Sequence, residues 1–408
     1  MGYARAGRTA IQSKAPMMTP LSKKPGFVLC LTYHLPNISG LTLSAHEIAR
    51  HLAHLGHPVR VVAGRVPSTM PAHETVDGIE IFRVRSWFRL GKALVMPGYA
   101  PTLWRACSGM AVVNVHLPNM DAGLVAIVAK LRRKKLIVSH ISSMSRATFA
   151  DRMMRAVAGV SHFVAGALAD KIQVVSHDYA QASTLCRVFR HKVVAAPLPI
   201  YLHLFDDETH PPRIPRIETA DRPYRIGYVG RIAKQKSLGL LLDALPQIAQ
   251  SVGGHVEVDL LGPAAEVVGE TYWKDILAKA TASGGAVKYS GTKTGRDLAD
   301  FYASLDVMVL PSMDRLESFG LVQVEAMLRG VPVVASDLPG MRIPVQRTGM
   351  GQLFPPGDAQ ALAKAISEVL VDGPPQVRSP AELEALFGNE IACKPYTDLL
   401  AKVSAQSR

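Results

Sequence analysis

Short apolar runs alternate with amphipathic stretches along almost the whole chain, and this alternation restricts the fold more than any other feature. "GFVLCLTYH" (26–34) reads as a buried strand closed by turn residues. "TLSAHEIARHLAHLGH" follows, with apolar residues three and four apart. Ser44 is the expected helix cap and Gly56 the expected stop. "PVRVVAG", "IEIFRVRS", "AVVNVHLP", "KKLIVSH", "KIQVVSH" and "HKVVAAP" continue the strand series. Strands separated by helices imply a parallel sheet covered on both faces.

The texture changes between about 204 and 223. "FDDETHPPRIPRIETADRP" is polar, Pro-rich and without period, as a linker between domains would be. A second series then begins with "YRIGYVGR" and runs through "HVEVDLLG", "AVKYSG", "DVMVLPS" and "VPVVASD". The chain's 408 residues exceed what one hydrophobic core usually serves. The expected organisation is a disordered tail over 1–25, a Rossmann-like domain over 26–203 and a linker over 204–223. A second Rossmann-like domain follows over 224–390. A last helix over 391–408 either closes the second domain or crosses back to the first. Two open parallel sheets in tandem point the C-terminal ends of their strands at a shared cleft, where ligands of such folds bind.

Composition removes several function classes. The four cysteines, Cys30, Cys107, Cys186 and Cys393, lie far apart with no C-x-x-C. That argues against a disulfide framework or a cysteine zinc site and suits a reducing compartment. No apolar run is long enough for a transmembrane helix. The first 25 residues are basic and lack the apolar core of a secretory signal, and Ala6 stands where a myristoylation site needs Ser or Thr. Net charge is +13 and unevenly spread. Residues 1–200 hold 25 Lys and Arg against 8 Asp and Glu, and the remainder 21 against 25. Such asymmetry points to an anionic partner that meets the first half only.

The chemistry concentrates in the second half. "PSMDRLESFGLVQVEAMLRG" reads as a strand end, a loop and a helix from about Phe319 to Arg329, stopped by Gly330. Glu317 falls just before the helix. The N–H groups of Phe319, Gly320 and Leu321 would point out of its start, a place for anionic or hydroxyl-rich ligand atoms. Gly320 would let a ligand approach the backbone. Glu325, about two turns on, could accept both hydrogen bonds of a diol. Taken alone, Glu317 is equally a helix-start charge favoured by the dipole, and Glu325 a solvated helix residue. Gly230 and Arg231, then Lys234 and Lys236, stand between a strand and a helix. Cations so placed suit a diphosphate, although a solvated basic loop has the same sequence.

Together these segments resemble the retaining glycosyltransferases of the two-domain GT-B fold, specifically glycosyltransferase family four. "PSMDRLESFGLVQVEAMLRGVPVVASDLPG" is similar to the family's two-glutamate signature, and Gly230, Arg231 and Lys236 to its "GR....K". "VKYSGTKTGRDLADFYASLDVMVLPS" and "GMGQLFPPGDAQALAKAI" extend the likeness over about 224–370. The first half matches more loosely. Ser39-Gly40 replaces the family's double glycine, and "LIVSHISS" places His140 where the family has a sugar-contacting histidine.

The resemblance implies a UDP- or GDP-linked sugar on the second domain, transferred with retention and without a metal or other cofactor. Arg231 and Lys236 would hold the diphosphate and Glu325 the ribose. Glu317, with Ser318, Phe319, Gly320, Leu321 and Val322, would grip the sugar. Gly40 and Gly230 would contact the donor, and backbone around Gly262 and Thr292 would meet the base. Glu317, His140, Arg231 and Lys236 form the expected catalytic set.

Rivals have weaker support. "HEIARH" spaces its histidines one residue too far for the zinc-protease motif. Neither a G-x-G-x-x-G nor a phosphate-binding P-loop occurs. Asp259 and Asp306 lie in strands, where a core or strand-end role is the ordinary one. No pyridoxal-bearing lysine marks a phosphorylase, and the same fold also serves sugar-nucleotide epimerases. A catalytically silent sugar-nucleotide-binding subunit is the principal alternative, and a small soluble acceptor the other. The basic segments "RVRSWFRLGK" (83–92) and "KLRRKK" (130–135), with Trp87 and Phe88 among arginines, suit an anionic bilayer. A solvated basic face is the plain alternative, and no nucleic-acid motif accompanies the charge. A lipid or lipid-linked acceptor at the inner face of the cell membrane, in the cytoplasm, is therefore expected.

Overall fold

A computed structural model describes residues 24–90, 93–142, 149–200, 222–264, 272–313 and 317–406. The expected tail and linker fall almost wholly outside these residues, as does part of the loop before Glu317.

The first eight-stranded sheet has the order β10-β9-β8-β7-β1-β2-β4-β3. Its strands are β1 (Gly26–Cys30), β2 (Val59–Gly64), β3 (His73–Val76), β4 (Ile79–Val84), β7 (Met110–Leu117), β8 (Lys135–His140), β9 (Lys171–Val174) and β10 (Val193–Ala195). All neighbours are parallel except β3, which runs antiparallel to β4 at one edge. The second sheet, β13-β12-β11-β14-β15-β16, is wholly parallel. It comprises β11 (Tyr224–Val229), β12 (Val256–Leu261), β13 (Val287–Tyr289), β14 (Val307–Leu310), β15 (Val333–Ser336) and β16 (Gly351–Phe354). Strand order reverses between β1 and β7 in one sheet and between β11 and β14 in the other. Those reversals open a crevice at the strand ends.

The apolar runs form the central strands because both faces are covered. β1 and β14 are buried at every position. Three details differ from the sequence reading. Strand β1 ends at Cys30, and residues 31–39 become the loop over the crevice. Helix α1 (Gly40–His54) is capped by Ser39 in a capping box with Thr42, whereas Ser44 is fully buried within the helix. "RSWFRLGKALV" supplies a small antiparallel hairpin, β5 (Phe88–Leu90) with β6 (Ala93–Val95), ahead of α2 (Tyr99–Ala106).

The final helix, α14 (Asn389–Gln406), packs on α1 and β7 of the first domain. The Tyr396 hydroxyl lies 2.8 Å from Ser139 Oγ and donates to Gln173 Oε1 at 3.2 Å. Asn389 donates to the buried carboxylate of Glu47 at 2.7 Å, and Arg50 pairs with the same group. A charge with no exposed surface requires such partners.

Candidate active site

Strand β11 ends at Val229, and a 3-10 turn over Lys234–Lys236 precedes α7 (Leu238–Val252). Gly230 has φ 148° and Gly262, at the end of β12, has φ 133°. A Cβ on Gly262 would come within 2.2 Å of the Gly230 carbonyl oxygen. Gly262 needs glycine for this backbone contact, and a Cβ on Gly230 would lie 2.8 Å from the Tyr228 hydroxyl. Gly262 N–H donates to Gly291 at 2.6 Å, which brings the exposed Thr292 alongside. Asp259 accepts from Ser290 at 2.6 Å, and Asp306 from Arg222 at 2.7 Å and the Arg225 N–H at 2.8 Å. Their carboxylates are thus taken up within the second domain.

Across the strand reversal, β14 runs out through Pro311 and Ser312 toward Glu317. The Glu317 carboxylate forms an ion pair with the Lys236 amine. Burial, reinforced by the nearby Arg231 guanidinium, lowers Lys236 to about 8. The Glu317 carboxylate works against that shift by favouring the charged amine. Two cations and one carboxylate therefore meet at the end of β11 and β14.

Helix α10 (Leu321–Leu328) begins two residues later than its sequence suggests. Gly320 stands before it with φ 73°, and Phe319 is buried against Phe387 with ring centroids 5.8 Å apart. The first-turn N–H groups are consequently those of Leu321 and Val322. A Cβ at Gly320 would lie 2.7 Å from Leu310 and 2.8 Å from Gln323, so close packing also demands glycine there. Glu325 is half-buried and accepts from the Tyr302 hydroxyl of α9 (Gly295–Ala303) at 2.7 Å. Burial raises its carboxyl above the usual range, and the tyrosine opposes the shift. It is therefore held by the core through Tyr302.

The first domain closes on this group. Ser318 Oγ donates to the Ile141 carbonyl just beyond β8. Gly40 lies 3.8 Å, at an added Cβ, from Leu321. Gly340 N–H donates to Asp178 of the first domain at 3.0 Å. His140, at the end of β8, is buried and depressed to about 4, by burial first and His162 second. Its Nε2 lies 3.0 Å from Ser183 Oγ, and its buried Nδ1 has no hydrogen-bond partner. A neutral imidazole can exchange a hydrogen bond with a sugar hydroxyl without bringing charge.

Thus Arg231, Lys236 and Glu317 meet at one junction, Ser318 and Leu321 reach from it to Ile141, next to His140, and to Gly40, and Glu325 follows about one helical turn after Leu321. Tyr302, Asp178 and Ser183 were not anticipated from the sequence. Each acts through a distant contact that carries no local motif. A cavity of about 420 Å³ also lies between the domains, lined by Val175, Asp178, Pro197, Arg342 and Gln346, and by none of the anticipated residues.

Residues 223–372 match the family of glycosyl transferases group 1, and residues 39–199 match the glycosyl transferase 4-like domain. The chain belongs to the group 1 glycosyltransferases, and its two facing parallel-sheet domains are the GT-B fold. Over 231 residues it is 27% identical to the amylovoran biosynthesis glycosyltransferase AmsK of Erwinia amylovora, covering 54% of this chain and 56% of AmsK. It is 34% identical over 144 residues to a phosphatidyl-myo-inositol mannosyltransferase of Mycobacterium leprae, 35% of this chain and 36% of that protein. The chain thus spans about half or less of the length of these relatives. Among solved structures, Anabaena Alr3699/HepE in complex with UDP superposes with a TM-score of 0.69. That likeness, at 20% identity, covers 92% of this chain and 100% of that one.

Proposed function

We propose that this protein transfers a hexosyl group from a UDP- or GDP-sugar, with retention, to a lipid or lipid-linked saccharide in envelope glycolipid or polysaccharide synthesis. The observation that carries this reading is the meeting of Arg231, Lys236 and Glu317 at the strand reversal of the second sheet. The start of α1 at Gly40 lies beside Leu321, and Ile141, next to His140, accepts from Ser318.

In this scheme Arg231 and Lys236 bind the diphosphate and offset its growing charge as the anomeric bond breaks. Lys236 exchanges its contact with Glu317 for the phosphate, which leaves the Glu317 carboxylate to accept from the sugar hydroxyls. First-turn N–H groups of α10 support the same sugar, and Glu325 accepts from the ribose. The acceptor oxygen bonds to the anomeric carbon on the face the diphosphate leaves, and its proton passes to the departing phosphate oxygen. The developing oxocarbenium character makes fixed nearby carboxylate charge useful. The chain's own cations provide the positive charge at the diphosphate, so the scheme calls on no metal.

The acceptor is assigned to the cationic first domain. The names of AmsK and of the phosphatidyl-myo-inositol mannosyltransferase fit envelope polymers and lipids as products. Trp87 and Phe88 on the β5–β6 hairpin are 74% and 56% exposed between Arg85 and Arg89, which suits an anionic headgroup layer. Among the described residues no helix is long and apolar enough to cross a membrane. Docking at the cytoplasmic face is peripheral in this reading.

Glu317→Ala separates this reading from a silent binding subunit. The variant should keep donor affinity within a few-fold and lose about 100-fold or more in transfer rate. A wild-type protein that binds nucleotide-sugars and turns none over, with any lipid-linked acceptor, would favour the binding subunit.

A further inference from the structure

Helices α3 (Ala122–Leu131) and α4 (Phe149–Leu168) lie side by side on one face of the first sheet. Their outer surfaces are apolar where solvent-facing helices usually carry charge. Leu124, Ile127 and Leu131 on α3 are 38%, 45% and 66% exposed. Met153, Val157 and Val160 on α4 are 56%, 61% and 68% exposed. Spacings of three and four place each trio in one row along its helix.

The two rows run on from one another. Gly123 N–H donates to Ser161 Oγ at 2.8 Å, and that hydroxyl donates to the Met120 carbonyl at 2.7 Å. Leu124 therefore lies level with the turn at Val160. Both helices return from strand ends in parallel crossovers, so the part of α4 before Ser161 overhangs the start of α3. At 1.5 Å per residue that overhang is roughly 18 Å, on the side where the strand ends open. The apolar path thus begins at the far end of α3 and continues along a helix projecting beside the crevice.

Cations border this path. Arg105, Arg133 and Lys134 stand at its α3 end and Arg155 on the overhang, and Arg132 stacks 4.9 Å over the half-exposed Trp104. Helix α3 has no acidic residue, and α4 has one, Asp151. A second copy docking through the same face would bring like charge, and so would the basic first 25 residues. An anionic bilayer offers opposite charge together with an apolar layer.

We infer that the joined outer rows of α3 and α4 form the membrane-inserting surface of this protein, taking an anionic phospholipid bilayer. The inference rests on the peripheral-docking reading above and deepens it. The apolar rows enter the acyl boundary while the basic rim meets headgroups. The overhang of α4 then holds the crevice at the bilayer surface, where a lipid-anchored hydroxyl can enter without leaving its leaflet.

The test is flotation of the full chain with vesicles of phosphatidylcholine containing one part in three of phosphatidylglycerol. The triple variant Leu131→Glu, Val157→Glu, Val160→Glu is compared with wild type and with Val377→Glu, an exposed apolar site on the other domain. Wild type and Val377→Glu should bind alike, and the triple variant about tenfold more weakly. High salt should weaken wild-type binding without abolishing it, because the apolar part is not screened. Thermal shift by nucleotide-sugar should be the same in all three, which shows that the triple variant folds. Equal flotation of the triple variant and wild type would overturn the inference. So would a wild-type dimer that the triple variant abolishes without any vesicle binding by either. Loss of the nucleotide-sugar response in wild type would instead count against glycosyl transfer and leave the surface standing.

Discussion

Lys236 and Glu317 neutralise one another, so a diphosphate has to compete for the amine. The amine is charged below its pKa of about 8 and loses its proton above it. Donor affinity should therefore fall as pH rises through about 8, measured by calorimetry with a nucleotide-sugar. Glu317→Gln removes the carboxylate that favours the charged amine, so in that variant the fall should begin at lower pH. An unchanged midpoint would show that the two side chains are not coupled. Glu325 behaves oppositely. Burial raises its carboxyl, and the Tyr302 hydrogen bond opposes that rise. Tyr302→Phe should raise it further, so that loss of donor affinity on acidification begins at a higher pH than in wild type. Coincident acid limbs in the two proteins would detach Glu325 from donor binding.

Elements explain why some of this was legible in the sequence and some not. β14 and β15 are fully buried apolar runs, and such a run has no other stable place than the middle of a covered sheet. The start of α10 was placed two residues early because Gly320 adopts a left-handed conformation that the periodicity does not register. Ser44 reads as the cap because it stands beside the apolar row, whereas Ser39 is the cap because its backbone is extended, which periodicity does not register. The Gly230, Arg231, Lys236 and Glu317 grouping was legible because each residue lies between a readable strand and the helix that follows it. Tyr302 under Glu325 and Asp178 under Gly340 were not, since contacts between distant segments leave no local pattern. Helix α14 belongs to this second kind. Its hold on the first domain passes through Tyr396, which Tyr396→Phe should weaken by about 1 kcal/mol and Tyr396→Ala by about 3–5 kcal/mol in denaturant unfolding. An effect of Tyr396→Ala within a few tenths of a kcal/mol would mean that the helix packs there without contributing to stability.

On the scale of the whole molecule, charge and chemistry are divided between the lobes. The first lobe carries the excess of Lys and Arg, and the second carries the paired cations and carboxylates. Ser318, Gly340 and Leu321 reach across to Ile141, Asp178 and Gly40, so these loops of one lobe are completed by the other. The central claim is that Arg231 and Lys236 hold the pyrophosphate of an activated sugar at that junction. Thermal shift against a panel of UDP-, GDP- and ADP-sugars tests it most directly, because a ligand that binds only the folded chain raises its melting temperature. The account predicts a rise with one of the UDP- or GDP-sugars, lost in Arg231→Ala/Lys236→Ala. A wild-type chain indifferent to every activated sugar, or a double variant that responds as wild type does, would contradict it.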